Sequence, residues 1–158
     1  MTEFSGYEKM STNLKKLGLS ESDFSKMDKL KWVVTEKVHG ANFSFVYENG
    51  SLKFAKRKEY LQWKDDFFGF QLVVNKLEDR LLRLFEHLSS NIPGTKYIVY
   101  GELFGGKYPH PEVQPENDLY AIQTGVYYTP TINFCAFDIA VKLNDADTKY
   151  YFDYESSV

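Results

Sequence analysis

Asn49-Gly50 sits between two runs rich in aromatic and β-branched residues, Asn42 to Glu48 and Ser51 to Arg57. Both residues of the pair tolerate positive φ, which the tight two-residue turns of right-twisted hairpins demand. An antiparallel hairpin is therefore predicted at its centre, and the remaining elements have to pack around it. Val33 to Lys37 reads as a further short strand just ahead of it.

From Asp66 to Leu88 the period changes. Val73, Leu77, Leu81, Leu84 and Leu88 recur every three or four residues, the spacing of an amphipathic helix that Asp65 or Asp66 would cap. A second strand group follows: KYIVYGELF from Lys96, INFCAFDIAV from Ile132 and KYYFDY near the end. The glycines and three prolines of GGKYPHPEVQPEND forbid continuous helix or strand there. The predicted class is α+β, with mainly antiparallel sheet and one packed amphipathic helix.

A chain of 158 residues with 43% hydrophobic and 17% aromatic content can bury one substantial core. Its formal net charge of -3 provides no global basic field, so a nucleic-acid partner would need a local patch. Cys135 is the single cysteine, which excludes an internal disulfide and fits a reducing, intracellular compartment. No stretch approaches the roughly 18 apolar residues of a membrane helix, and no membrane partner is expected. MTEFSGYEKM carries neither an apolar signal core nor an Arg-rich amphipathic presequence.

GELFGGKY approaches a phosphate-binding loop, but Tyr108 replaces the required Ser or Thr, and Pro109 and Pro111 break the helix that should follow. His39, His87 and His110 lack zinc-site spacing. Lys53, Lys56, Arg57 and Lys58 crowd one hairpin strand, taken alone more often a solvated edge than a binding surface. Lys37, at the end of an apolar run, is by itself either a guard against edge pairing or a nucleophile.

The company of Lys37 favours the second. EKVHGANF, then FAKR, DDFFGF, VYGELFGGKYPHPEV and FCAFDI occur in that order, in a similarity that runs from about Tyr7 to about Asp138. Together they resemble the nick-sealing branch of the ATP-dependent RNA ligases, the branch of phage RNA ligase 2 and the mitochondrial RNA-editing ligases. His39 in the Lys-x-His-Gly motif separates this branch from DNA ligases and capping enzymes, which carry Asp there.

The resemblance implies that residues 1–158 form the N-terminal portion of an adenylation (nucleotidyltransferase) domain of ATP-grasp-like type, incomplete at its C-terminus. It implies that Lys37 forms a lysyl-AMP adduct with ATP, assisted by magnesium or manganese, and that His39 serves the later steps on RNA. Nucleotide contacts are implied for Glu8, Glu36, Val38, Asn42, Arg57, Glu102 and Phe137, with Val38 and Phe137 enclosing the adenine and Glu102 accepting from the ribose. A solvated lysine is mostly protonated at neutral pH; apolar walls from the Val-rich run and nearby cations are expected to free the amine. Lys53, Lys56, Lys58 and His110 are the expected RNA contacts, and the expected partners are RNA ends in a nicked or bridged duplex.

The family pattern continues past the FDI block with a Glu-Gly strand and a Lys-x-Lys strand, and neither follows Asp138 here. Three readings compete: the N-terminal piece of a ligase, a nucleotide- or RNA-binding remnant that no longer ligates, and a structural partner with a vestigial pocket. A sheet edge left exposed where those strands are lacking would favour self-association.

Overall fold

The computed structural model describes residues 4–116, 118–143, 148–153 and 155. The chain divides into two compact units, one of Tyr7–Lys37 and one made of the residues up to Gly6 and from Val38 onward.

The larger unit is built on six strands: β1 (Ala41–Glu48), β2 (Ser51–Lys56), β3 (Tyr60–Leu61), β4 (Lys96–Gly105), β5 (Ile132–Lys142) and β6 (Lys149–Tyr151). They form one antiparallel sheet in the order β3-β2-β1-β4-β5-β6. The β1–β2 turn has Asn49 at φ 53° and Gly50 at φ 73°, as the hairpin prediction requires. Tyr154, the last residue of the KYYFDY run, and Asn117 of the proline-rich loop lie outside the described residues. The edge strands span only two and three residues, and short edges blunt unwanted pairing.

Phe43, Phe45 and Tyr47 of β1, with Phe54 of β2 and Tyr97, Val99 and Leu103 of β4, form one face of the sheet. A long helix covers it. The helix (Phe70–Asn91) buries Phe70, Val73, Val74, Leu81, Phe85 and Leu88. Phe85 stacks on Tyr47 with ring centroids 5.4 Å apart, and Phe70 meets Phe43 and Phe54 at 5.6 Å. The helix starts later than the sequence implies and without an Asp cap. Its N-cap is Gly69, which makes no side-chain cap bond, whereas Asp65 accepts from the Gln62 N–H in the preceding turn.

The other sheet face carries Asn42, Ser44, Val46 and Glu48 from β1, with Tyr100 and Glu102 opposite Ser44 and Asn42 on β4. Residues 4–6 lie against this face: Phe4 is buried, donates its N–H to the Lys58 carbonyl, and sets its ring 5.2 Å from Tyr60 and 6.4 Å from Tyr100.

At the far end of the same face, the Glu48 carboxylate accepts from Lys53 Nζ at 2.7 Å and pairs with Lys96 Nζ at 3.0 Å. The hydrogen bond from Lys53, helped by Lys96, holds the Glu48 carboxyl below its ordinary range despite partial burial. Burial opposes the charge on Lys96, but its bonds to Glu48 and Tyr60 outweigh that effect and raise its value. Glu48→Gln is expected to cost about 1 kcal/mol, as a half-exposed pair allows. A depressed carboxylate stabilises above its unfolded value and loses that contribution as pH falls through its folded one. Denaturant melts of both proteins should thus converge from the ordinary carboxylate range downward; a gap unchanged by acid would rule the network out.

The smaller unit holds a 3-10 turn (Leu14–Leu17) and the short helix α1 (Glu21–Met27), neither of which the hydrophobic periodicity announces. Asn13 caps the first, and Ser20 with Asp23 forms a capping box on α1. Trp32 Nε1 donates to the Met27 carbonyl at 3.1 Å. The expected strand over Val33 to Lys37 does not form. β-Branched residues favour strands only where a neighbour completes the ladder. Val33 and Val34 are exposed, at 46% and 93%, and build no apolar wall.

Candidate active site

β1 begins one residue after Gly40, and the backbone there is fastened at three points. The Gly40 N–H donates to Glu102 Oε1 at 3.3 Å, Gln123 Nε2 donates to the Gly40 carbonyl at 2.9 Å, and the His39 N–H donates to the Tyr128 hydroxyl at 3.0 Å. A Cβ on residue 40 would stand 1.9 Å from the Leu103 carbonyl oxygen. Only glycine lets these two backbones approach so closely.

The register then sets a row of side chains across the sheet. Asn42 lies opposite Glu102, and Glu102 opposite Cys135. Arg57 follows Lys56, the last residue of β2, and is exposed in the bend beyond it, where its carbonyl lies against Gly6. The ladder shifts between Tyr100 and Gly101, making Phe137 the extra residue of a bulge on β5, with its side chain 44% exposed. A bulge re-aims a side chain that strict alternation would bury or oppose. Asn42 Oδ1 is buried and accepts no hydrogen bond from any described residue. A buried amide oxygen in that condition costs free energy until a donor arrives.

Of the residues singled out from sequence, Asn42 and Glu102 lie opposite one another at one end of this face, with Val38 and His39 leading into it, and Arg57 stands exposed in the bend after β2. Val38 is half-buried, and His39 is exposed. Glu8, Glu36 and Lys37 belong to the smaller unit, where all three are exposed. The basic strand is not a row of free cations. Lys53 is bound to Glu48, Lys56 lies 2.8 Å from Glu59, and strand alternation puts the two lysines on opposite faces. Lys58 follows the end of β2 rather than extending it.

His110 lies apart from the row. Its Nδ1 accepts from the Glu112 N–H, and it borders an open cleft of about 650 Å³ with Lys107, Tyr108, Tyr120 and Tyr127. Gly105 and Gly106, at φ 94° and 89°, turn the chain out of β4. Residues 108–116, directly after Lys107, form no helix, as expected once a phosphate loop is excluded.

Gln123 and Tyr128 are contributors that sequence reasoning misses. Both stand in the irregular stretch between β4 and β5, where no period marks a contact with a residue more than eighty positions earlier.

The larger unit is thus an antiparallel α+β fold in which an amide and a carboxylate lie opposite one another beside a glycine-fixed backbone. Residues 30–157 match the RNA ligase family, and the chain belongs to that family. It is 34% identical over 128 residues to the mitochondrial RNA-editing ligase 2 of Trypanosoma brucei brucei (strain 927/4 GUTat10.1), which covers 71% of this chain and 31% of the relative. To the mitochondrial RNA-editing ligase 1 of Trypanosoma brucei brucei it is 27% identical over 143 residues, covering 76% of this chain and 30% of the relative. The chain thus spans about a third of the length of these curated relatives.

Proposed function

We propose that this chain is the N-terminal portion of the adenylation domain of an ATP-dependent RNA ligase, of ATP-grasp-like type, with Lys37 as its nucleophile. The observation that carries this reading is the triple fastening of His39 and Gly40 beside an unsatisfied Asn42 Oδ1. Two residues, Val38 and His39, separate Lys37 from Gly40, so chain connectivity alone keeps the Cα atoms of Lys37 and Gly40 within roughly 11 Å.

In the first step the neutral Lys37 amine attacks the α-phosphorus of ATP. An N–P bond forms, the bond to the pyrophosphate oxygen breaks, and the amine proton passes to solvent. An oxygen of an RNA 5′-phosphate then displaces Lys37 from that phosphorus. Finally an RNA 3′-hydroxyl attacks the activated 5′-phosphate and AMP departs. Dividing one difficult transfer in this way is the purpose of a covalent nucleophile. Lys37 is exposed, so bound nucleotide rather than Val33 and Val34 has to exclude water from the amine.

Each remaining role follows from chemistry. Glu102 accepts from ribose hydroxyls, and the planar guanidinium of Arg57 suits anionic or ribose oxygens. The Asn42 amide takes up a donor. Phe137, aimed outward by its bulge, offers a ring face to adenine, with Val38 as the aliphatic counterpart. Glu8 is assigned to the adenine amino group, Glu36 to the nucleotide, and His39 to the RNA steps. Lys58 and His110 remain for RNA phosphates, since Lys53 and Lys56 already face carboxylates. Among the described residues no three His, Cys, Asp or Glu side chains cluster as a cation cage. A divalent ion would therefore be held chiefly by the triphosphate, where it supplies charge neutralisation. The relatives' names include mitochondria, and an organelle is the corresponding proposal here.

The reading is tested by incubating the protein with ATP labelled at the α-phosphate and seeking a covalent, acid-labile and alkali-stable adduct. An unlabelled protein would overturn it. Phe137→Ala should weaken ATP use in this assay by on the order of 1 kcal/mol or more, the value of an aromatic contact. Phe137→Tyr, which keeps the ring, should stay near wild type. Equal behaviour of the two variants would remove the stacking role.

A further inference from the structure

Lys149 on β6 has no place in the chemistry above, yet its ammonium is one of the most completely engaged groups in the larger unit. Nζ donates to the Gly6 carbonyl at 2.6 Å and to the Tyr100 hydroxyl at 3.0 Å, with the Ser5 carbonyl at 3.4 Å. The cation also lies 5.2 Å from the centre of the Tyr100 ring. An ammonium has three donors, as many as the oxygen partners it meets here. Tyr100 Oη approaches the Ser5 carbonyl at 3.5 Å as well, so one lysine and one tyrosine hold two successive peptide carbonyls.

What they hold is the end of the segment that covers the second sheet face. Phe4 is fixed by its buried ring and by its bond to Lys58. Gly6 lies so close to the sheet that a Cβ would stand 1.9 Å from the Arg57 carbonyl oxygen. Gly6 is also the last residue before the smaller unit begins at Tyr7, and Glu8 follows two residues later. The chain thus leaves the sheet from a point clamped by Lys149 and seated on Arg57, and it returns at His39 and Gly40, clamped by Tyr128, Glu102 and Gln123.

We propose that Lys149 is a positioning residue for the nucleotide: by locking the Ser5 and Gly6 carbonyls onto the sheet it sets the backbone of Arg57. This rests on the role given to Arg57 under the proposed function. Charge-assisted bonds to backbone carbonyls suit such a task, being short, strong and indifferent to the side chains they hold. Lys149 itself touches no reacting atom. Its loss therefore weakens nucleotide binding and leaves the intrinsic step at Lys37 nearly untouched.

The experiment is equilibrium binding of an ATP analogue with a methylene bridge between the α- and β-phosphates, which cannot transfer AMP, to the wild-type protein and to three variants. Lys149→Met keeps the aliphatic stem and removes all donors. Lys149→Arg retains a cation with donors. Gly6→Ala displaces the segment from the Arg57 side and leaves Lys149 intact. Lys149→Met and Gly6→Ala are expected to raise the analogue's Kd about tenfold, the effect of losing one charge-assisted contact, and Lys149→Arg should restore part of it.

Hydrogen exchange supplies a second reading, with faster exchange at residues 4–8 in both weakened variants and unchanged protection in β1 and β4. In the labelling assay, the KM for ATP should rise while the maximal rate of adduct formation stays within about twofold, the pattern of lost uniform binding. Unchanged analogue affinity in Lys149→Met would overturn the inference, as would exchange at residues 4–8 that ignores the substitution. A wild-type protein that binds the analogue but never becomes labelled would refute the nucleophile role of Lys37 instead, and the binding comparison would still decide the role of Lys149.

Discussion

Lys37→Ala should reduce covalent labelling by α-labelled ATP to background, and Lys37→Arg should do no better. Alanine has no nucleophile, and a guanidinium remains protonated at any pH the protein survives, so neither can form the N–P bond. Lys37 lies outside both ladders of β1 and is exposed, so neither substitution removes a buried contact. Melting of the two variants should match wild type within about 0.5 kcal/mol, the usual range for surface changes. Loss of label with an intact fold is thus an interpretable result. Persistent label in Lys37→Ala, or a label that survives hot acid, would show that another group carries the nucleotide.

The hairpin and the strands of the larger unit are legible because local and tertiary preferences agree. Asn49-Gly50 can do little but turn, while KYIVYGELF and INFCAFDIAV are bounded by breakers. Where the two levels part, sequence reading fails. Val33 and Val34 have strand propensity without a neighbouring strand to satisfy. The SESD start of α1 is a capping box, S-x-x-D, ahead of a helix too short and too polar to show a period. For the long helix, Asp65 and Asp66 look like caps, but a turn takes Asp65 and the helix waits for Phe70.

The site divides in the same way. Residue types were legible, since Lys37, Asn42, Arg57 and Glu102 stand in short motifs. Their juxtaposition was not. That Asn42 faces Glu102, sixty positions later, depends on the register between two strands distant in sequence, which no local pattern encodes. The outward aim of Phe137 depends on one extra residue in β5. A one-residue slip in such a ladder exchanges the two faces, so the geometry of the site is a property of the assembled sheet.

Gly40→Ala should therefore damage the chemistry more than the fold. Gly40 does not use a positive φ, so alanine is conformationally acceptable there; the obstacle is the Leu103 carbonyl oxygen 1.9 Å from the new Cβ, with Glu102 Cγ at 3.0 Å. A backbone oxygen cannot rotate aside as a side chain can. The start of β1 has to move off β4, and the bonds of Gly40 to Glu102 and Gln123 go with it. Ala41 opposite Leu103 is the last paired position of that ladder, and the pairs from Asn42 to Glu48 remain to hold the sheet.

The expected result is a modest loss of stability with roughly a hundredfold slower lysyl-AMP formation, the cost of misplacing a reacting group by about 1 Å. Gly50→Ala is the matched control. Its φ of 73° makes alanine strained, but nothing lies within 4 Å of the new Cβ and the site is untouched, so it should lose about 1–2 kcal/mol of stability at an unchanged labelling rate per folded molecule. Labelling by Gly40→Ala at the wild-type rate would show that the fastening of His39 and Gly40 is merely architectural, and its part in the proposed chemistry would have to be abandoned.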